Sequence, residues 1–300
     1  MAKTNIDLHL HPYSEIYGVK PVLKAMKKND VKILGLPYYN ENNFCRIRAG
    51  TNNLDGYKKE EGNISIKMKD KETGSEFYLL RAEELMNKEN LHLLVIGKIS
   101  GLKPYNPIMR NIEAGIKNNA IVMIDHPFAD AEQAYKPITA KKKAELEEIA
   151  KEFGNEIAWE WNGYCKPWFR NTARSLMNAP LAISENSLDC NKYLGADANR
   201  ELENFAAEMN GKGWKINIVA DSDIHARSKG ALEEIGRAYF EIDDSRIDFS
   251  SEEKMLGTMK NAIREGEGIG YENHKNYVSS WHLARHFIIP YILRMGRNRG

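Results

Sequence analysis

The sequence predicts a parallel α/β barrel with its chemistry gathered at one end. Two observations predict the architecture. Short apolar runs alternate with amphipathic helical segments, and several runs, "IVMI" and "INIVA" among them, are apolar on both faces as buried parallel strands are. A third observation predicts the chemistry: acidic and histidine residues recur where those runs end. About seven strand–helix units over some 270 residues suit a closed barrel, although an open doubly wound sheet would carry the same alternation.

In chain order, strands are expected at Asn5–Leu10, Val31–Leu36, Glu76–Ala82, Leu91–Ile96, Ala120–Ile124, Glu156–Trp161, Pro180–Ser184 and Lys215–Ala220. Helices are expected at Lys20–Asn29, Pro107–Asn118, Thr139–Phe153, Asp197–Met209 and Ser251–Glu265. The third of these opens on a capping threonine and stops before Gly154. No GxGxxG or GxxxxGK[ST] loop marks a nucleotide site.

Two regions depart from the repeat. Cys45 to Gly74 is polar, and its end reads as a hairpin around Glu72, Thr73 and Gly74, an insertion placed to cover a barrel mouth. The stretch from Tyr271 to Gly300 is aromatic and then basic, and reads as a helical extension packed on the body and broken near Pro290. The expected organisation is therefore a barrel over 1–270, with an insertion at about 45–75, and an extension over 271–300.

Composition narrows the function classes. Lys and Arg number 43 against 42 Asp and Glu, so nothing in the overall charge draws the chain to nucleic acid or an anionic membrane. Local basic tracks are confined to "KPWFR" with Arg174 and to "RMGRNRG". Cys45, Cys165 and Cys190 form no CxxC pair, which argues for a reducing compartment. The start lacks a signal-like apolar run, and no stretch approaches the roughly 20 apolar residues of a membrane span. A cytoplasmic protein without a membrane partner is expected.

The chemistry begins at "IDLHLHP". Residues two apart on a strand point the same way, so His9 and His11 project together, and at a strand's carboxyl end they would face the mouth. Other strand ends supply partners: Glu83 and Glu84 in "LLRAEEL", Asp125 and His126 in "IVMIDHPF", Glu160 between two tryptophans, and Asp221, Asp223 and His225 in "INIVADSDIHA". Singly, each has an ordinary reading as a cap, a surface group or a satisfied loop residue. Mixed carboxylate and imidazole donors suit Zn, Mn or Fe better than Ca.

The ordered set carried by "DLHLHP", "RAEELMNKENLHLLVIG", "DHP", "EWNGY" and "ADSDIHA" resembles the PHP (polymerase and histidinol phosphatase) family, from about Asn5 to Ala226. The resemblance implies a distorted (β/α)7 barrel with up to three metal ions at the carboxyl strand ends, and hydrolysis of phosphoesters. It implies that His9, His11, Glu83 and Asp223 hold one divalent ion. Glu83 would bridge to a second, completed by His126 and Glu160, and His225 would match a ligand of a third. The chain departs from the family at "ILGLPYYN", where Pro37, Tyr38 and Tyr39 replace an aspartate and histidine, and at "PYSEIYG" after His11. Two ions are therefore expected, with the third short of ligands.

On this reading two metals activate a hydroxide for in-line attack on a small phosphorylated metabolite or nucleotide. Asp223 would orient the nucleophile and His225 would protonate the leaving oxygen. Arg227 is the first choice to hold the phosphate, with Arg81 and Lys98 as alternatives. Tyr17, Tyr38 and Tyr39 would line the mouth, and Asp7 would orient a ligand histidine rather than bind metal. The competing readings are a nuclease or polymerase-associated protein acting on nucleic acid, a metal-dependent amidohydrolase, and a catalytically silent binding protein.

Overall fold

The computed structural model describes residues 2–12, 17–38, 42–98, 100–128, 139–163, 165, 197–226 and 228–279, with the backbone alone at 38, 42 and 43. The expected strand Pro180–Ser184, the extension beyond 279, Tyr39, Cys190, Arg174 and Arg227 lie outside the described residues. Among the described residues no helix is long and apolar enough to cross a membrane.

The chain folds as a nearly closed, barrel-shaped mixed sheet with helices outside it. Its strands are β1 (Lys3–Asp7), β2 (Leu10–Pro12), β3 (Val31–Tyr38), β4 (Tyr57–Glu61), β5 (Ser65–Asp70), β6 (Glu76–Met86), β7 (His92–Ile96), β8 (Ile121–Asp125), β9 (Ala158–Asn162), β10 (Asn217–Asp221), β11 (Ile224–Ala226), β12 (Tyr239–Asp243) and β13 (Glu272–His274). The helices are α1 (Lys20–Lys28), α2 (Asn42–Gly50), α3 (Ile108–Lys117), α4 (Ala140–Phe153), α5 (Ala198–Gly211) and α6 (Glu252–Glu265). Three helix starts are fixed by side chains that accept from free backbone N–H groups: Thr139 from Lys142, Asp197 from Asn199 and Arg200, and Ser251 from Lys254.

The strand order around the barrel is β10-β9-β8-β7-β6-β3-β1-β12-β13. Two parallel blocks, β10-β9-β8 and β6-β3-β1, are joined by β7, which runs antiparallel to both β6 and β8. The reason is connection length. Asn87 to Leu91 is far too short for a parallel crossover, which takes a dozen residues or more. Instead Asn87 bonds back to Leu91 through its N–H and its side chain, closing a tight hairpin. The barrel is thus distorted rather than uniformly parallel.

The last gap in the wall is closed by side chains. Asn273 of β13 accepts from Ala220 N–H at 2.8 Å and donates to the Ile218 carbonyl at 2.8 Å, while the Tyr271 hydroxyl donates to the same carbonyl at 2.6 Å. One asparagine amide thereby satisfies the open edge of β10 as a neighbouring strand would. Glu272–His274, the start of the expected extension, is a strand paired to β12.

Inside, Ile6, Leu8, Ile33, Leu80, Leu94, Met123, Val219 and Phe240 form the core with Met255, Leu256, Met259 and Ile263 of α6, which plugs the lower end. Burying each such side chain contributes about 1.5–3 kcal/mol. Outside, α1 and α2 pack on one flank, and α3, α4 and α5 on the other. The inserted hairpin β4-β5 pairs with Glu76–Leu80, the first half of β6, whereas the carboxyl end of β6 pairs with β7. The hairpin therefore lies away from the mouth it was expected to cover. Glu252 anchors it from α6 by accepting from Asn63, Ile64 and Ser65 N–H.

One close approach bears on the site above. A Cβ at Gly35 of β3 would stand 2.1 Å from the carbonyl oxygen of Leu8, the residue before His9. Gly35→Ala is expected to lower stability by about 2–3 kcal/mol, read from urea unfolding, because the backbone must shift to admit the methyl. Unchanged stability would contradict the packing described.

Candidate metal centre

On β6 to β10 the interior face turns from apolar to acidic or histidine residues towards the mouth. Tyr78, Leu80 and Ala82 lead in step to Glu84; Ile121 and Met123 lead to Asp125; Ala158 leads to Glu160; Val219 leads to Asp221. Antiparallel β7 presents the same series reversed, with His92 opposite Asp125 and Leu94 and Ile96 below it. A polar layer consequently rests on a dry apolar floor.

Two loops complete the layer. β1 ends at Asp7, and Leu10–Pro12 pairs in parallel with Ile224–Ala226 as a separate two-stranded sheet that sets His11 beside His225. Those rings stack at 4.4 Å with an interplanar angle of 9°. Asp7, fully buried, holds the two loops together: it accepts from Ser222 N–H at 3.1 Å, Gly236 N–H at 3.0 Å, His9 N–H at 3.4 Å and the Ser222 hydroxyl. Burial pushes its carboxyl up to about 6, against the pull of those hydrogen bonds. His126 (φ 26°) and Asp223 (φ 44°) occupy the left-handed region, a strained backbone that recurs where side chains are aimed at a site.

Among the described residues four groups of donors gather here: three at the mouth, and His9, Asp125 and Glu160 on the inner side. In the first, His9 Nε2 lies 2.9 Å from His11 Nε2, 3.8 Å from Glu84 Oε2 and 3.3 Å from Asp223 Oδ1. His11 Nε2 is 3.1 Å from Glu84 Oε2 and 3.6 Å from Asp223 Oδ1. In the second, Glu84 turns its other oxygen to His92 Nδ1, and Asp125 Oδ2 lies 3.8 Å from His92 Nδ1 and 3.3 Å from His126 Nε2. The third is His11, Asp223 and His225, with His225 Nε2 at 3.6 Å from Asp223 Oδ1.

The donor set fits divalent ions. Tetrahedral ligands held at about 2.1 Å are separated by about 3.4 Å, and the first group's spacings straddle that value. Asp223 Oδ1, both oxygens of Asp125 and His92 Nε2 are buried without a hydrogen-bond partner, an expensive arrangement unless a cation is shared among them. Glu84 places one oxygen in each of the first two groups.

The local electrostatics follow from this crowding. Burial alone would lower the pKa of His9, but Asp223, Asp125 and Glu160 around it hold it well above the ordinary value. Burial would raise Glu84, yet His11, His9 and His92 hold it well below. Burial, then the neighbouring Glu160, push Asp125 and Asp221 well above the usual carboxylate range. Burial, then His11, pull His225 down to about 4, so its ring is neutral near pH 7. A neutral ring can ligate an ion or take up a proton.

Of the residues named from the sequence, His9, His11, His126, Glu160, Asp223 and His225 come together here, and Glu83 does not. The glutamate in the layer is Glu84; Glu83 is half-buried on the opposite face of β6, one residue out of step with Leu80 and Ala82. Arg81 shares the phase of Glu83, which directs it away from the cluster, and Lys98 follows β7 at the lower end of the barrel. The Tyr17 hydroxyl donates to the Ala226 carbonyl at 2.9 Å. Sequence reasoning passed over His92 and Asn162. The Asn162 amide donates to Glu160 Oε2 at 3.0 Å and Asp223 Oδ2 at 2.7 Å, and its backbone pairs with the Asn199 side chain. Phase with Leu94 and Ile96 is the signal that finds His92.

No family profile and no curated protein matches the sequence. Solved structures do. The crystal structure of PsfC from Pseudomonas syringae PB-5123 is 12% identical over 99% of this chain and 99% of that one, with a TM-score of 0.54. A two-domain protein of Bacteroides vulgatus containing a predicted PHP-like metal-dependent phosphoesterase is 11% identical over 92% of this chain and 65% of that one, with a TM-score of 0.50. The chain has the PHP-type barrel fold. Endonuclease Q of Pyrococcus furiosus is 14% identical over 91% of this chain and 58% of that one, with a TM-score of 0.48.

In this PHP-type barrel the two adjacent glutamates separate ligand from bystander. Glu84→Gln is expected to weaken Mn2+ binding by about 100-fold in calorimetry, and Glu83→Gln by less than about twofold. The reverse order would overturn the placement of Glu84.

Proposed function

We propose that this PHP-type barrel is a metal-dependent hydrolase of phosphate esters, acting at the mouth formed by β2, β11 and the upper ends of β6 to β9. The observation that carries the reading is the convergence of Glu84, Asp125, Asp223 and five histidines in one layer, with donor atoms left unpaired over an apolar floor. Divalent ions bound there would supply a Lewis acid for a phosphoryl oxygen and water of lowered pKa.

The chain's own groups prepare that chemistry. Glu160 takes His9 Nδ1 at 2.5 Å, which leaves His9 Nε2 directed at His11 and the mouth. Asn162 fixes Asp223 Oδ2 and leaves Oδ1 facing His9, His11 and His225. Neutral His225, the more exposed member, can take up a proton at Nε2 or ligate an ion. The apolar floor excludes water from below and keeps the local dielectric low, which strengthens each of these interactions.

The substrate class we favour is a small phosphorylated metabolite or nucleotide. A formal net charge of +1 offers no general attraction for a polyanion, and so supports a small ester over nucleic acid. With Mn2+ present, p-nitrophenyl phosphate is expected to be hydrolysed well above background, with loss of activity in chelator and recovery on adding metal. Turnover of bis-p-nitrophenyl phosphate or an oligonucleotide without turnover of the monoester would favour a nuclease. No hydrolysis of any of them by metal-loaded protein would overturn the proposal.

A further inference from the structure

Asp221 belongs to none of the three donor groups at the mouth. It is fully buried, and neither carboxylate oxygen has a hydrogen-bond partner. Its Oδ1 lies 4.0 Å from His9 Nδ1, the nitrogen that faces away from the mouth. The same nitrogen is 3.5 Å from Asp125 Oδ1 and 2.5 Å from Glu160 Oε1. Asp125 and Asp221 end the parallel strands β8 and β10, and Glu160 stands in the middle of β9 between them; the three follow Met123, Val219 and Ala158 on the interior face.

Three buried carboxylates therefore converge on one imidazole nitrogen. Glu160 is supplied with donors, since its Oε2 accepts from His126 N–H at 2.7 Å and from the Asn162 amide at 3.0 Å. Asp125 and Asp221 have none. Asp125 divides its oxygens between the two levels: Oδ2 faces His126 Nε2 at 3.3 Å in the mouth, and Oδ1 faces inward. A single imidazole cannot balance three ionised carboxylates in a buried interior: either Asp125 and Asp221 keep the protons that burial and Glu160 favour, or a cation replaces those protons.

We infer that Asp125, Glu160 and Asp221 form an inner cation site, on the Nδ1 side of His9, for a hard divalent ion such as Mn2+ or Mg2+. A donor set dominated by carboxylate oxygen selects such ions. This ion would neutralise the floor of the layer, a role that does not require the mouth to hydrolyse anything.

Crystals of the wild-type protein soaked in Mn2+ test the site by anomalous scattering. The expected result is a peak enclosed by Asp125, Glu160 and Asp221. Peaks among His9 Nε2, His11 and Glu84 without an inner one would overturn the inner site and leave the mouth reading standing. In solution, Asp221→Asn is expected to bind one fewer Mn2+ per chain by elemental analysis, and to gain less in melting temperature from added Mn2+. Equal metal content and equal gain would mean that Asp221 keeps a proton, and would overturn the inference. Should the variant fail to fold, the wild-type map decides.

Discussion

Carboxylates and imidazoles crowded into one buried layer are the constraint on which the rest of this structure turns. Asp7, Glu84, Asp125, Glu160, Asp221 and Asp223 are all buried, and among the described residues the cationic partners of this layer are histidines. Leaving a charge unpaired in such surroundings costs several kcal/mol, so the layer must be balanced by hydrogen-bond donors, protons or bound cations. The fold supplies donors to Asp7 and Glu160 and withholds them from Asp125 and Asp221. That contrast marks Asp125 and Asp221 as the carboxylates left to a cation, with the donor-supplied Glu160 between them as the group that holds the inner site in place.

The bracing is architectural. Asp7 ties the end of β1 to the Ser222 loop and the Gly236 turn, so that the His9–His11 and Asp223–His225 pairs cannot move independently. Asn162 joins Glu160 to Asp223 across the gap between β9 and β11, and Asn199 at the start of α5 holds the Asn162 backbone. Fixing side chains through neighbours that do not themselves bind substrate is how a site keeps its donors within the small tolerance that chemistry needs. The strained turns at His126 and Asp223 persist because this bracing surrounds them.

Much of this is legible in the sequence, because strand and helix signals are local. The helices from Thr139, Asp197 and Ser251 start where their caps predict. Glu160 stands out between two tryptophans, and the structure turns Trp159 and Trp161 outward against α5 and Tyr277 while Glu160 points in. Choosing between Glu83 and Glu84 needed the phase of the strand, which Leu80 and Ala82 reveal. His92 was missed for a topological reason: chemistry was sought at carboxyl ends, and in an antiparallel strand the amino end reaches the mouth. The five-residue link before it carried that information. Asn162, Asn199 and Asn273 act through partners 37 to 61 residues away, and no local pattern announces such contacts.

The central claim, that the layer is built to hold divalent cations, is tested most directly by thermal unfolding of chelator-treated protein against increasing Mn2+. Ions that bind the folded chain alone stabilise it by about 4 kcal/mol per site at a thousandfold excess over Kd, which raises the melting temperature of a chain this size by roughly 8–15 °C. The account predicts a rise of at least that size, saturating with Mn2+ and markedly smaller in a Glu84→Gln, Asp223→Asn double variant. A melting temperature indifferent to Mn2+ in the wild-type protein would contradict it.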